Sequence, residues 1–230
     1  MLPEADAEPL LPKQGVPDLL FLLLHGDGAD RAQMQPLAEA LHREYPQAAV
    51  LALDAPLPLP SEAVRGFRWH TGELDAALPG FIERVRDWAR HYALPWPRVA
   101  LAGFSQGGEL ALEAVQREPA LAGRVLAFGA APRALPEQAP QGVCLHLLHG
   151  LRDTELPQHR VVAAAEAWVG LGADLTADLL PGIGHELHPK LIERALQQLR
   201  SFIPARLWRE AVLQAAEMDA ADREALKRPH

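Results

Sequence analysis

Six short apolar runs, none of which alternates cleanly with polar residues, constrain this chain more than any other feature. They lie at Asp18 to Leu24, Ala48 to Leu53, Arg98 to Ala102, Arg124 to Phe128 and Val143 to Leu148, with a weaker, partly alternating one at Asp174 to Leu180. A strand open to water on one face alternates; a run such as LLFLLL suits a strand covered on both faces, as in a parallel sheet. Between the runs lie helical spacings: Ile82, Val85, Trp88, Ala89 and Tyr92; Leu110, Ala111, Ala114 and Val115; and Leu191, Ile192, Ala195, Leu199, Phe202 and Ile203. Each set falls on one helix face. Strands alternating with helices predict βαβ crossovers and a three-layer α/β/α fold with a mostly parallel central sheet, whose ligand-binding loops follow the C-terminal ends of the strands.

A chain of 230 residues suits one such domain. The expected organisation is an N-terminal segment over 1–17, the α/β domain over 18–203, and an amphipathic helix and tail over 204–230 (Leu207, Ala211, Val212, Ala215, Met218) packed on the same domain. The proline-rich stretches APLPLP (55–60) and APRALPEQAPQG (131–142) read as loops too short for a lid domain. A net charge of −8, with Lys and Arg scattered, gives no basic stripe for phosphates, so nucleic acid is not an expected partner. The tightest apolar run has six residues, well short of the ~20 that span a bilayer as a helix. The single cysteine, Cys144, in an apolar run, and an acidic N-terminus without a signal pattern make a cytoplasmic location the expectation.

Only three serines occur, and Ser105 sits in Gly103-Phe104-Ser105-Gln106-Gly107, a G-x-S-x-G match between an apolar run and a helical pattern. A nucleophile elbow needs that context, with small residues two places either side of the serine because larger ones would clash in the strained turn. The bland alternative is a strand-to-helix turn with Ser105 as its N-cap. A serine hydroxyl becomes nucleophilic when a histidine takes its proton and a carboxylate orients that histidine. Asp153, in LLHGLRD, and His185, in ADLLPGIGH, each follow a predicted strand, and Ser, Asp, His is the chain order this fold uses.

Other candidates rank lower. His25 and His149 read as hydrogen-bonded turn residues, and His159 and His188 as surface or capping residues at helix starts. Glu155 lies farther into the loop than Asp153, and Asp178 lies inside the sixth strand. His185 and His188 are one residue too close for H-E-x-x-H, so no metal site is expected. Two donors are needed for a tetrahedral oxyanion: the backbone N–H of Gln106, after the nucleophile, and that of Asp27, in the glycine-rich turn ending FLLLHGDG.

With HGDG, GFSQGG, HGLRD and GIGH in this order, the chain from about Asp18 to Ile203 resembles the phospholipase/carboxylesterase and acyl-protein thioesterase family of α/β hydrolases, and within it bacterial esterases of the YpfH type. The resemblance implies a lidless hydrolase of short acyl esters or thioesters, with Ser105, Asp153 and His185 at the triad positions and Trp69, in GFRWH, near the acyl pocket; the two-step serine mechanism, with small acyl esters as the expected substrates, needs no cofactor. The alternative is acyl-protein thioesterase activity on acylated proteins, requiring a long apolar channel, or lysophospholipase-like activity; a non-catalytic ligand-binding homologue is a further alternative, and a monomer or homodimer is expected. One departure is that the family's H-G-x-G-D has an apolar x, whereas here x is Asp27 and the next aspartate is Asp30. A carboxylate some 4 Å from an oxyanion would oppose it by about 1 to 4 kcal/mol, so Asp27 is expected to point away.

Overall fold

All six apolar runs pair side by side in one parallel sheet. The computed structural model of the chain describes residues 9–60, 66–202 and 204. In chain order the elements are β1 (Leu19–Leu24), α1 (Gln35–Glu44), β2 (Ala48–Leu53), β3 (Leu57–Pro58), β4 (Phe67–Arg68), α2 (Leu74–His91), β5 (Val99–Phe104), α3 (Gln106–Arg117), β6 (Arg124–Phe128), β7 (Cys144–Gly150), α4 (Gln158–Gly170), β8 (Asp174–Leu180) and α5 (Pro189–Ser201). The strand order is β2-β1-β5-β6-β7-β8, every neighbouring pair parallel.

Successive residues of a strand face opposite ways, and in every strand of this sheet except the edge strand β8, which is only partly buried, both faces are buried. Leu20, Leu22 and Leu24 join a core beneath α2, α3 and α4 with Phe81, Leu110 and Trp168; Phe21 and Leu23 join a second core beneath α1 and α5 with Leu37, Leu41 and Leu191. Each fully buried leucine contributes about 2 kcal/mol through area removed from water, which is why these runs have no polar face. Leu10, in the N-terminal segment, exchanges two backbone hydrogen bonds of 2.9 Å with Val50 and so covers part of the β2 edge. The helix expected over 204–230 lies outside the described residues, apart from Pro204.

Three local features differ from the sequence reading. APLPLP is not all loop: Leu57–Pro58 pairs antiparallel with Phe67–Arg68, a two-residue ribbon in which a proline is tolerated because there is little ladder to break. Pro79 lies inside α2, at the cost of one backbone hydrogen bond, while Leu78, Phe81, Ile82 and Val85 around it are buried. His149 belongs to β7 rather than to a turn.

The strand order reverses between β1 and β5: from β1 the chain runs outward to β2, then returns to β5 on the other side. Loops diverge at such a switch point and leave a crevice at the strand C-terminal ends, where open α/β sheets bind ligands. HGDG follows β1 and GFSQGG ends β5, so both motifs open on that crevice.

Candidate active site

At the end of β5 the chain turns abruptly into α3, and Ser105 takes up the turn with φ 51° and ψ −118°, one of two non-glycine residues with positive φ among those described. Glycine is required on either side. A Cβ on Gly103 would lie 2.3 Å from the Gly107 backbone, and one on Gly107 would lie 2.5 Å from the Leu24 carbonyl oxygen. The absence of those atoms lets α3 start against the ends of β1 and β5. Ser105 N–H donates to the Phe128 carbonyl at 2.9 Å, and its side chain caps no helical N–H. The N-cap alternative therefore has no hydrogen bond behind it here.

The Ser105 hydroxyl meets His185 Nε2 at 2.9 Å, and His185 Nδ1 lies 2.7 Å from Asp153 Oδ2. With Asp153 ionised, Nδ1–H donates to the carboxylate, which leaves Nε2 as the acceptor for the serine proton. Three loops meet to make this row: the β5–α3 turn, the loop after β7 and the loop after β8. The imidazole packs on Phe104, ring centroids 4.8 Å apart, and a Cβ on Gly129 would come within 3.4 Å of it.

Asp153 has no solvent-accessible side-chain surface. Burial pushes its carboxyl up, but the Leu156 amide, His185 and the Glu155 amide outweigh this and hold it below the usual carboxylate range. The two amides donate to Oδ1 at 2.9 Å each, leaving Oδ2 for the imidazole. Glu155, its sequence rival, reaches the other ring nitrogen: its Oε2 is 3.5 Å from His185 Nε2, and the side chain is 70% exposed. Asp178 is away from the site, paired with Gln198 and Arg194.

The remaining histidines divide clearly. His25 is a buried, fully bonded turn residue: Nδ1 donates to the Gly26 carbonyl at 2.7 Å and Nε2 accepts from the Ala55 amide at 3.0 Å. His188 caps α5 by accepting from the Lys190 amide. His149 makes no well-formed side-chain hydrogen bond: its buried ring has the Leu156 backbone and Asp153 as polar neighbours, with Nδ1 3.7 Å from Asp153 Oδ2. Burial holds His149 below the usual imidazole range, with Asp153 opposing that shift.

Gln106 is the first residue of α3, where an N–H has no intrahelical acceptor and the helix dipole favours negative charge. In the loop after β1, the amides on either side of Asp27 are occupied, Gly26 by Gln33 Oε1 at 2.7 Å and Gly28 by the Phe67 carbonyl at 2.9 Å. The Asp27 carboxylate is half exposed and lies 3.4 Å from Arg68 Nε. Asp30 caps the short helix that follows by accepting from the Ala32 amide.

Ser105 opens on a cleft of about 490 Å³ lined by Gln106, Glu109, Arg133, Glu155, Arg160 and His185 together with small residues. Trp69 does not line it. Trp69 is buried and borders a second, more apolar groove of about 470 Å³ with Leu57, His70, Phe81 and Leu110, which shares no lining residue with the first. Neither this division nor the polar wall at Arg133 and Arg160 has a local sequence signal, since both depend on how loops from separate strands meet.

Among known proteins, a sequence model of a phospholipase/carboxylesterase family matches residues 71–205. Esterase YpfH of Escherichia coli strain K12 is 34% identical over 203 residues, spanning 84% of this chain and 87% of that protein. Acyl-protein thioesterase 1 of Eremothecium gossypii is 25% identical over 207 residues, spanning 80% and 88%. Esterase PE8 shares the fold with a TM-score of 0.75 at 22% identity over 86% of this chain and 99% of that one, as does a Mesorhizobium loti carboxylesterase with a TM-score of 0.66 at 20% identity over 80% and 88%.

Proposed function

The chain belongs to the phospholipase/carboxylesterase family of α/β hydrolases, and on that premise we propose that it hydrolyses small acyl esters through an acyl-enzyme on Ser105. The observation that carries the reading is the row from hydroxyl to imidazole to buried carboxylate, at 2.9 and 2.7 Å. Ser105 Oγ attacks the ester carbonyl as His185 Nε2 takes its proton. The imidazolium so formed is held by Asp153 and protonates the leaving alcohol oxygen; water then enters by the reverse route, giving its proton to Nε2 and releasing the acid. The backbone N–H groups of Gln106 and Asp27 receive the oxyanion, each donor contributing about 10² to 10³ in rate. Every step uses groups of the chain itself.

The polar wall of the cleft supports short acyl groups over long ones, because a long alkyl chain laid against Arg133, Glu155 and Arg160 would desolvate charges without pairing them. The thioesterase alternative draws support from the acyl-protein thioesterase relative. The working domain on this reading is 18–203, and the lone, buried Cys144 fits a reducing, cytoplasmic setting. Among the described residues, no helix is long and apolar enough to cross a membrane.

A panel of butyryl and palmitoyl esters and thioesters separates the two. The expected result is turnover that falls as the acyl chain lengthens and vanishes in Ser105→Ala. Palmitoyl thioester turnover equal to or above that of the butyryl ester would favour the alternative.

A further inference from the structure

We propose that Trp69 and the side chain of Gln106 are positioning residues that fix the spacing of the oxyanion hole, with Trp69 spanning its two halves. The proposal rests on the reading of Gln106 and Asp27 as the oxyanion donors. Those two amides come from different places, one at the start of α3 and the other in the loop after β1, and a site of this kind needs its donors held to about 0.5 Å. Helix α3 holds the first. A glycine-rich loop does not hold the second unaided.

Trp69 is bonded to the side chain of Gln106 and to the strand end that leads into Asp27. Its backbone N–H donates to Gln106 Oε1 at 2.6 Å, and its indole N–H donates to the His25 carbonyl at 2.8 Å, two residues before Asp27. The Gln106 amide completes a closed pair by donating through Nε2 to the His70 carbonyl at 3.1 Å. The indole is buried between His25, at a ring distance of 5.4 Å, and Phe81, whose ring meets it edge-on at 5.9 Å. Its orientation is therefore set by packing from both sides.

The rest of GFRWH is laced along the same loop. Gly28 donates to the Phe67 carbonyl at 2.9 Å, Phe67 donates to the Ala29 carbonyl at 2.8 Å, and Arg68 stands by Asp27. The approach at Gly66 is so close that a Cβ would fall 2.2 Å from the Gly28 carbonyl oxygen. Segment 66–70 thus works as a splint, bonded to the loop carrying Asp27 on one side and to the first residue of α3 on the other. Trp69 acts through those donors and lines a groove separate from the Ser105 cleft, so its effect belongs in the rate rather than in acyl-chain choice.

The test uses the full chain as wild type, Trp69→Phe, Gln106→Met and the double variant, assayed with a butyryl ester. Trp69→Phe keeps an aromatic ring but loses the indole N–H together with the five-membered ring, so Tm is recorded beside kcat; Gln106→Met removes both side-chain bonds while keeping the backbone donor. Each single variant is expected to lose about tenfold or more in kcat with KM within about twofold, since misplaced donors weaken transition-state contacts alone. Affinity for a trifluoromethyl ketone, whose serine adduct places an oxygen in the hole, is expected to fall by the same factor as kcat/KM, and the double variant to be no worse than the poorer single one. An unchanged kcat in folded Trp69→Phe, even with a lower Tm, overturns the proposal, as does a change confined to KM or chain-length preference. A wild-type chain without Ser105-dependent turnover contradicts the ester-hydrolase reading itself and this proposal with it, whereas a Trp69→Phe variant as active as an active wild type contradicts the splint alone.

Discussion

Replacing Ser105 by glycine removes the one side chain forced into the turn between β5 and α3, and comparison with Ser105→Ala isolates what that turn costs. Both variants lose the hydroxyl and its hydrogen bond to His185, but only alanine keeps a Cβ at φ 51° and ψ −118°. A non-glycine residue in such a region costs about 1 to 3 kcal/mol. Glycine loses about 0.5 to 1 kcal/mol more than alanine in backbone entropy on folding. At the middle of both ranges the glycine variant is the more stable of the two by about 1 kcal/mol. For a chain of 230 residues each kcal/mol moves Tm by about 2 to 4 °C, so the expected gap is about 2 to 4 °C. Urea denaturation at neutral pH measures the free-energy difference and a thermal melt checks it. Equal stability, or a more stable alanine variant, would refute the argument that the nucleophile sits in a strained turn.

Three further outcomes are expected. Asp153→Asn should reduce kcat by about 10⁴, because the wrong imidazole tautomer then faces Ser105, whereas Glu155→Gln should cost far less, since its carboxylate is exposed and screened by water; similar losses in the two would reverse the assignment. Asp27→Leu should keep or raise the esterase rate, because it removes a negative charge near the oxyanion while leaving the backbone donor; a large fall would show that the pairing with Arg68 or a contact to substrate is needed. Stability should fall on acidification. Burial, helped by Arg124, lowers His146 to about 3, so below about pH 6.5 the unfolded chain takes up a proton that the folded one refuses. That amounts to about 2 kcal/mol lost by about pH 5, with buried His25 and His149 shifted in the same direction. His146→Gln should remove about that much of the pH dependence measured by urea titration at about pH 7.5 and 5, and an unchanged slope would show that His146 titrates normally.

The sheet was legible because burial on both faces leaves a mark on composition: LLFLLL and CLHLL can be little else, and Ala48 to Leu53, Arg124 to Phe128 and Asp174 to Leu180 match β2, β6 and β8 end to end. Ser105, Asp153 and His185 stood out because each lies just past such a run, and a parallel sheet brings those ends to one rim. Less legible were features made by contact between distant segments. Pro79 inside α2 and Pro58 in a two-residue strand break local rules that tertiary packing overrides. Glu155 looked only like a more distant rival to Asp153, since nothing in the sequence says that it will reach the opposite nitrogen of the same ring. Trp69 could be matched by position to a residue near an acyl pocket, but its two bonds, to Gln106 and to His25, each have a backbone atom at one end, which carries no residue-type signal.

The central claim is that a histidine and a buried carboxylate make the Ser105 hydroxyl nucleophilic, and labelling with a fluorophosphonate tests it most directly. The probe should phosphonylate the folded chain once, on the peptide containing Ser105, with loss of fluoride; the adduct should be absent in Ser105→Ala and form at least about 10² times more slowly in His185→Ala. An unlabelled wild type, or labelling that persists in Ser105→Ala or proceeds at the wild-type rate in His185→Ala, would contradict it.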